Sequence, residues 1–416
     1  MTTVLDELVL LPGWSEVPFR LVAAKVSESG FPDLESLSVF LDAGVVPRAS
    51  REDNHNQLGE SLDKYQRVLP NDLVFNKLRT WQGGFGISNY EGIVSPAYII
   101  ARPNISLIEP RFLGYLLKSK PYLAELTRLS KWMPPTQFDI SWESIRDIKI
   151  RIPSLEDQKR ISNYLDREIA LINETIALKQ ALIQEYENFF QSRCFEIVTG
   201  VGLETNMETN LPWIKFAPVG WQKQPLRGLF SWNKGKDPAR LDAVYCGEHP
   251  GEYPVFSGQT SNGGIFGLID TFDFSTVQDC ALISTVGALA GSMRVISGKF
   301  SLSQNCAILV PKNEDADTRY LNYLWPTIWS VLKSKIPSDM QPSVRLSDLS
   351  DTWVCLPPRD IQREFVRIIH ELELNKDALV TKTENSINKL MEYKTSLITS
   401  AVTGNFQVAN EKGVAV

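Results

Sequence analysis

Histidine is scarce in this 416-residue chain, with only His55, His249 and His370 present. That leaves little scope for imidazole acid–base chemistry or a histidine-built metal site. Cysteine is hardly commoner. Cys194, Cys246, Cys280, Cys306 and Cys355 are odd in number and far apart. They read as reduced thiols of a cytoplasmic protein and exclude a disulfide framework. No apolar run approaches the roughly 18 residues that cross a bilayer. The opening MTTVLDELVLLPGW has acids where a secretion signal needs Lys or Arg, so export is not expected. Phosphate and zinc motifs are missing as well. "GSMRVISGKF" (291–300) has the wrong glycine spacing, and no Ser or Thr follows its lysine. "CGEH" (246–249) is a lone Cys-x-x-His without a second half. "GGFG" (83–86) reads as a tight loop between strands.

What is present is an ordinary globular composition, 43% hydrophobic and 22% charged, on a chain too long for one core. The net charge of −6 argues mildly against nucleic acid as a partner. A whole-chain sum can nevertheless hide a local basic surface. Residues 213–236 carry Lys215, Lys223, Arg227, Lys234 and Lys236 with no acid among them. Residues 111–131 carry Arg111, Lys118, Lys120, Arg128 and Lys131 against the single acid Glu125.

The chain is written twice. "EIVTG" ends at Gly200 and "SAVTG" at Gly404, and stepping back from both keeps a shared register. Pro153 falls on Pro357, Gln158 on Gln362 and Ile183 on Ile387. Further upstream Gly83 falls on Gly291, Leu113 on Leu321, Tyr115 on Tyr323 and Leu116 on Leu324. "WSEVPFR" (14–20) meets "WQKQPLR" (221–227), a shared W-x-x-x-P-x-R. Order is kept throughout, so this is an internal duplication, and two copies are too few for a solenoid.

Each copy divides in two. Its first part is rich in Gly, Pro, Trp and Tyr, with short strand-like runs such as "DLVFNKL" and "CAILVP" and one helical patch. That texture predicts a compact α+β domain. From Leu155 to Val198 there is no Pro or Gly. Leu165, Ile169, Ile172, Ile176, Ile183, Tyr186 and Phe190 follow the 3.5-residue rhythm of a coiled-coil seam. The second copy places Phe365, Ile369, Leu372, Leu379, Leu390, Tyr393 and Leu397 in the same role. Pro153 and Pro357 precede the helices, and Gly200 and Gly404 stand where a left-handed residue ends them. Two rods of roughly 65 Å in one chain most simply pair with each other. The expected fold class is α+β with internal pseudo-twofold duplication, two globular α/β domains joined by two long helices in an antiparallel coiled coil. The expected boundaries are 1–150, 151–205 (first helix), 206–355, 356–404 (second helix) and a 405–416 tail.

"DLVFNKLRTWQGGFGISNYEGIVSPAYII" (72–100), "IRIPSLEDQKRISNYLDREIALINETI" (150–176), "LPPRDIQREFVRII" (356–369) and "LMEYKTSLITSAVTGNF" (390–406) resemble the specificity (S) subunit of type I restriction-modification systems. The phrase of Pro, acid and Gln leading into a long helix carries most of that resemblance. Copy two departs from it at Ile361, where copy one has an acid. The resemblance implies that each globular domain is a target recognition domain reading one half of a split double-stranded DNA sequence. It implies that the helices fix the spacer and dock two methyltransferase subunits, with restriction/translocase subunits joining the full complex. S-adenosylmethionine and ATP are then expected on the partner subunits, with no cofactor or metal in this cytoplasmic, membrane-free chain.

No catalytic site is expected here. Adenine methylation needs an Asn/Asp-Pro-Pro-aromatic loop for the flipped base. The Pro-Pro pairs of this chain, "MPPT" (133–136) and "LPPR" (356–359), lack both flanking residues. DNA contacts are expected from cations and small amide or hydroxyl donors. In copy one the candidates are Lys77, Arg79, Gln82, Lys131, Thr136 and Gln137. In copy two they are Lys234, Lys236, Gln259, Asn262, Gln304, Asn305, Gln341, Ser343 and Arg345. Two other readings compete. One is a single-chain DNA-modifying enzyme, weakened by the missing motifs. The other is a coiled-coil scaffold whose globular domains bind protein or glycan and no DNA.

Overall fold

A computed structural model describes Leu5 and residues 8–51, 62–133, 137–259, 261–334, 336 and 342–405. The chain divides into two compact units, Met1–Gln180 with Glu384–Val416, and Ala181–Thr383. Each unit therefore holds one globular domain together with part of both long helices.

In the first unit, an antiparallel sheet runs in the order Ala23–Val26, Tyr98–Pro103, Leu73–Asn76, Phe85–Ile87. Leu73 lies opposite Ala101 on one side and Ile87 on the other. The short strand Ser15–Pro18 pairs with Lys149–Ile152, which joins the start of the domain to the strand just ahead of the first long helix. Helices Pro110–Lys118 and Lys120–Leu129 cover one sheet face. Phe112, Leu113 and Leu116 share one core there with Phe19, Leu73 and Phe85. Burying each such side chain favours folding by about 1.5–3 kcal/mol.

The second unit repeats this plan. Its sheet begins Phe230–Asn233, Cys306–Pro311, Phe274–Ser284, Met293–Leu302, with Ala281 opposite Leu309 and Val295. Gln222–Pro225 pairs with Trp353–Leu356 as the closing ribbon. One helix, Thr318–Lys333, stands in place of two and carries Pro326 inside it. Two strands without counterparts in copy one's sheet, Pro250–Phe256 and Ile265–Ile269, widen this sheet to six strands.

The long helices are Leu155–Thr199 and Arg359–Val402. In the first unit Ile161, Leu165 and Ile172 of the first helix share a core with Leu397, Ala401 and Val402 of the second. In the second unit Cys194 and Val198 share one with Ile369. Beginning meets end in both, so the pair is antiparallel. Ile169 and Ile176 pack against the first core, Phe190 and Phe365 against the second, and Leu390 against the first. Ile183, Tyr186 and Leu372 are half-buried.

Two expected seam residues do not belong there. Leu379 is 44% and Tyr393 53% exposed, while Val380, Thr383, Ile387 and Lys394 turn inward. Inward positions run through Gln362, Phe365, Ile369, Leu372 and Lys376 in steps of three and four, then step four again to Val380. A straight α-helix drifts about 20° per heptad from a 3.5-residue grid, and the extra step absorbs that drift. Lys376 stays inward because Glu187 lies 3.3 Å from its ammonium, which sits 4.8 Å from the Phe190 ring centre.

Each domain is clipped to its helix by one glutamine. Gln158 is fully buried, accepts from the Glu109 amide at 2.8 Å and donates to Leu107 O at 3.2 Å and Pro153 O at 3.0 Å. Gln362 does the same with the Asp317 amide, Asp315 O and Pro357 O, all at 2.8 Å. Glu109 and Asp317 are themselves helix N-caps, accepting from Phe112 N and from Arg319 N and Tyr320 N. At the far ends, Gly200 and Gly404 adopt φ of 68° and 78°. A Cβ on Gly200 would lie 3.0 Å from the Trp221 ring, and one on Gly404 3.1 Å from that of Trp14. The two tryptophans of W-x-x-x-P-x-R thus each close over the helix end of the other copy.

Gln158→Ala leaves a buried amide and two carbonyls unpaired and is expected to lower stability by about 1–3 kcal/mol, read as a lower urea midpoint. An unchanged midpoint would remove the clip from the fold's essentials. Burial pushes the Cys194 and Cys306 thiols up to about 12 and Cys355 up to about 11. Thiolate is the reacting form, so a disulfide reagent on the native chain should modify half-buried Cys246 first; mass mapping of the first adduct checks this.

Candidate nucleic-acid interface

In the first unit, Lys77, Arg79 and Gln82 lie on the loop between Leu73–Asn76 and Phe85–Ile87. Asn76 shapes it, accepting from the Leu78 amide through Oδ1 and from Thr80 Oγ1 through its carbonyl. The Gly83 φ of 87° turns the chain back. A Cβ on Gly84 would lie 2.7 Å from Arg79 O, so the loop can only be this tight with glycine there. Arg79 and Gln82 are exposed and Lys77 is half-buried.

The hairpin Lys131–Met133/Gln137–Asp139 stands beside this loop. Phe138 holds the two together, with ring centres 5.0 Å from Trp81 and 5.1 Å from Trp132. Thr127 Oγ1 donates to Trp81 O at 3.2 Å and ties the preceding helix to the same loop. Lys131 is exposed, and Trp132 shows 55% of its surface. The structure therefore gathers Lys77, Arg79, Gln82 and Lys131 around one aromatic cluster. Thr136 and the side chain of Gln137 lie outside the described residues.

In the second unit the hub is the backbone of Thr285. Its amide donates to Asn305 O at 2.7 Å, and its carbonyl accepts from Val344 N at 2.8 Å. Ser343 bridges to Val286, and Gly287 N donates to Pro342 O at 3.1 Å. Segment 342–345 thus meets the same inter-strand loop that the copy-one hairpin meets. Gly258 lies against Ser284 and Asn305, which brings the segment carrying Gln259 and Asn262 to the same place. Asn262, Gln304, Asn305, Ser343 and Arg345 are exposed. Gln259 is half-buried, and its side-chain amide is engaged by Ile265 O at 2.9 Å, inside its own loop. Lys234 and Lys236 are exposed on the chain leaving Phe230–Asn233, where the Lys236 amide meets Asp273 Oδ2 at 3.2 Å. Gln341 lies outside the described residues.

Several arginines away from these loops are paired with carboxylates. Arg102 binds Asp72 at 2.9 Å, Arg111 binds Asp166 at 2.6 Å, Arg151 binds Glu16 at 2.9 Å and Arg319 binds Asp279 at 2.7 Å. Among the described residues, Lys77, Arg79, Lys131, Lys234, Lys236 and Arg345 have no such carboxylate partner. Uncompensated cations on loops favour a polyanion. Arg48 was not singled out from sequence, because it stands alone between Pro47 and Ala49 and breaks no local pattern. Burial pushes the Tyr98 hydroxyl up, opposed by a hydrogen bond with the Val39 backbone and by the charges of Arg79 and Arg48.

Among the described residues, no cluster of three or more His, Cys, Asp or Glu could hold a metal ion, and no helix is long and apolar enough to cross a membrane.

The family model described as the type I restriction modification DNA specificity domain matches residues 30–188 and again 218–389. The type I specificity subunit S.MpnORF285P of Mycoplasma pneumoniae is 28% identical over 170 residues, 40% of this chain and 52% of that protein. The chain thus spans about half the length of that relative. The MjaX type I specificity subunit of Methanocaldococcus jannaschii is 23% identical over 369 residues, 84% of this chain and 81% of that one. A chain from a structure of type I R-M complex assembly and conformational transition shares the fold, with a TM-score of 0.73 at 18% identity. It covers 96% of this chain and 100% of its own. With the specificity domain matched once on each copy of the duplicated plan, the chain belongs to the type I restriction-modification DNA specificity family.

Proposed function

We propose that this chain confers DNA sequence specificity on a type I restriction-modification complex, each globular domain reading one half of a bipartite target. The observation that carries this is the repeated unit: one sheet, one loop cluster with unpaired cations, one glutamine clip to a long helix. Two reading modules attached to paired helices fit two half-sites at a set separation. The loops differ in side chains and in build between the copies, as readers of different half-sites should. Lys77, Arg79, Lys131, Lys234, Lys236 and Arg345 are assigned to phosphates. Gln82, Asn262, Gln304, Asn305 and Ser343 are assigned to bases or sugar edges.

The helices act as ruler and docking surface. Leu171 and Leu178 are exposed apolar residues on one face of the first helix away from its seam, a surface suited to a methyltransferase subunit. Methyl transfer and ATP-driven steps belong to partner subunits, which hold S-adenosylmethionine and ATP. This chain contributes recognition and carries no catalytic site of its own, and the pure chain is expected to transfer no methyl group to DNA.

Co-expression with its methyltransferase, followed by genome-wide mapping of methylated adenines, should return two short half-sites with a fixed gap. Methylation without a bipartite motif would sink the assignment. In the same complex, Lys131→Ala should reduce the slope of log K against log salt by about 0.9 if it meets one phosphate. A slope equal to wild type would take Lys131 out of the interface. Deleting one heptad from each long helix should change the gap and leave both half-sites as they were; undiminished binding to the original gap would refute the ruler.

A further inference from the structure

Arg294 was not among the candidate contacts, and nothing in its local sequence, "SMRVI", marks it. It lies on Met293–Leu302 directly opposite Leu282. Strand alternation puts it on the face of Leu282 and Ile296, which belong to the small core of Phe256, Leu302 and Cys306. From that face its guanidinium reaches the turn between Pro250–Phe256 and Ile265–Ile269. Nη2 donates to the Gln259 carbonyl. The guanidinium lies against Gly264 so closely that a Cβ there would overlap it, and Gly264 has a φ of 79°.

The turn is closed at its neck by bonds of its own. Ser257 N donates to Gly264 O at 3.0 Å, and Gln259 donates its amide to Ser257 Oγ at 3.3 Å. Arg294 ties it to the strand Met293–Leu302. Among the described residues the guanidinium has no carboxylate partner, and burial pushes its pKa down. An unpaired, partly desolvated arginine is a costly way to hold a loop, so a role beyond general stability is indicated.

Copy one supplies the comparison. Leu73 opposite Ile87 matches Ala281 opposite Val295, so Gly86 occupies the place of Arg294. A Cβ on Gly86 would lie 3.3 Å from Gly44 Cα and 3.5 Å from Val45 N. There the hairpin Leu37–Phe40/Gly44–Pro47 sits straight on the strand. The same sheet position thus seats a differently built segment in each domain, the hairpin Leu37–Phe40/Gly44–Pro47 in one and the turn after Pro250–Phe256 in the other. In copy one the bare glycine is on the strand; in copy two it is on the loop.

We propose that Arg294 is the specificity-positioning residue of the second recognition domain, fixing residues 257–259 and 262–264 so that Asn262 presents one arrangement to DNA. This rests on the DNA-reading assignment above. The complex with its methyltransferase is used to select bound sequences from a random duplex library, with a salt titration on the selected site. Arg294→Ala should relax preference at one half-site by about 5- to 100-fold per base pair affected. The other half-site, the gap and the salt slope should stay as in wild type. Gly264→Ala, which keeps the arginine and removes its seat, should relax the same half-site. Arg294→Lys keeps the charge without the planar fork and should relax it too, which preserves the test if the alanine variant does not fold.

Unchanged preference in all three variants overturns the proposal. So does uniform weakening with a salt slope lower by about 0.9, which would make Arg294 a phosphate contact. Relaxation of both half-sites would mark general destabilisation and overturn it as well. A wild-type complex that selects no bipartite motif would bring down the DNA-reading assignment itself.

Discussion

The joining of each globular domain to its long helix depends on a buried side-chain amide. Gln158 and Gln362 each satisfy one amide and two carbonyls at the junction of domain, connecting strand and helix start. Those backbone groups lack ladder partners of their own, because a helix N-cap and a strand end meet there. Glutamine fits because its amide offers donors and an acceptor at once on a side chain long enough to span the junction. A carboxylate would lose the donors, and a shorter amide would not reach. The junction is therefore stiff in direction as well as position.

Stiffness at the clip would be wasted on a loose helix pair. The seam gains its apolar burial near the globular domains, through Leu165, Ile172 and Leu397 in one unit and Cys194, Val198 and Ile369 in the other. Between its apolar positions it also carries polar ones. Lys376 lies inward with Glu187 and over Phe190, and Lys394 donates to Asn173 at 2.8 Å. Polar seam positions cost stability and in return favour one register over its neighbours. Register fixes which residues of the two helices face each other.

The two globular domains show how one scaffold carries different surfaces. Four strands and their register repeat, while the segments laid upon them do not. A hairpin seated on Gly86 in one copy is replaced in the other by a turn held by Arg294. Scaffold positions are constrained by packing on both sides, whereas loop residues are constrained only by their anchors.

The duplication, the division of each copy into domain and helix, and the glycine ends were all legible in the linear sequence. Such features are written in local spacing: a repeated tryptophan, a 3.5-residue rhythm, a Val-Thr-Gly. Lys77, Arg79 and Lys131 stood out in the sequence as cations, whereas the hairpin carrying Lys131 did not. Other features were not legible. Leu379 and Tyr393 fit the heptad on paper, yet the drift of a real helix turned Val380 and Lys394 inward. Gln259 read as a free amide, but Ile265 O engages it. Arg294 and Arg48 stand alone in sequence, and their neighbours arrive from other strands. By itself the sequence determined the plan of the molecule, because periodicity and chain punctuation act between residues a turn or a strand apart. Only the tertiary structure decided which loops share a face, which cations stay unpaired and which glutamines are clips, because those depend on partners brought together from distant parts of the chain.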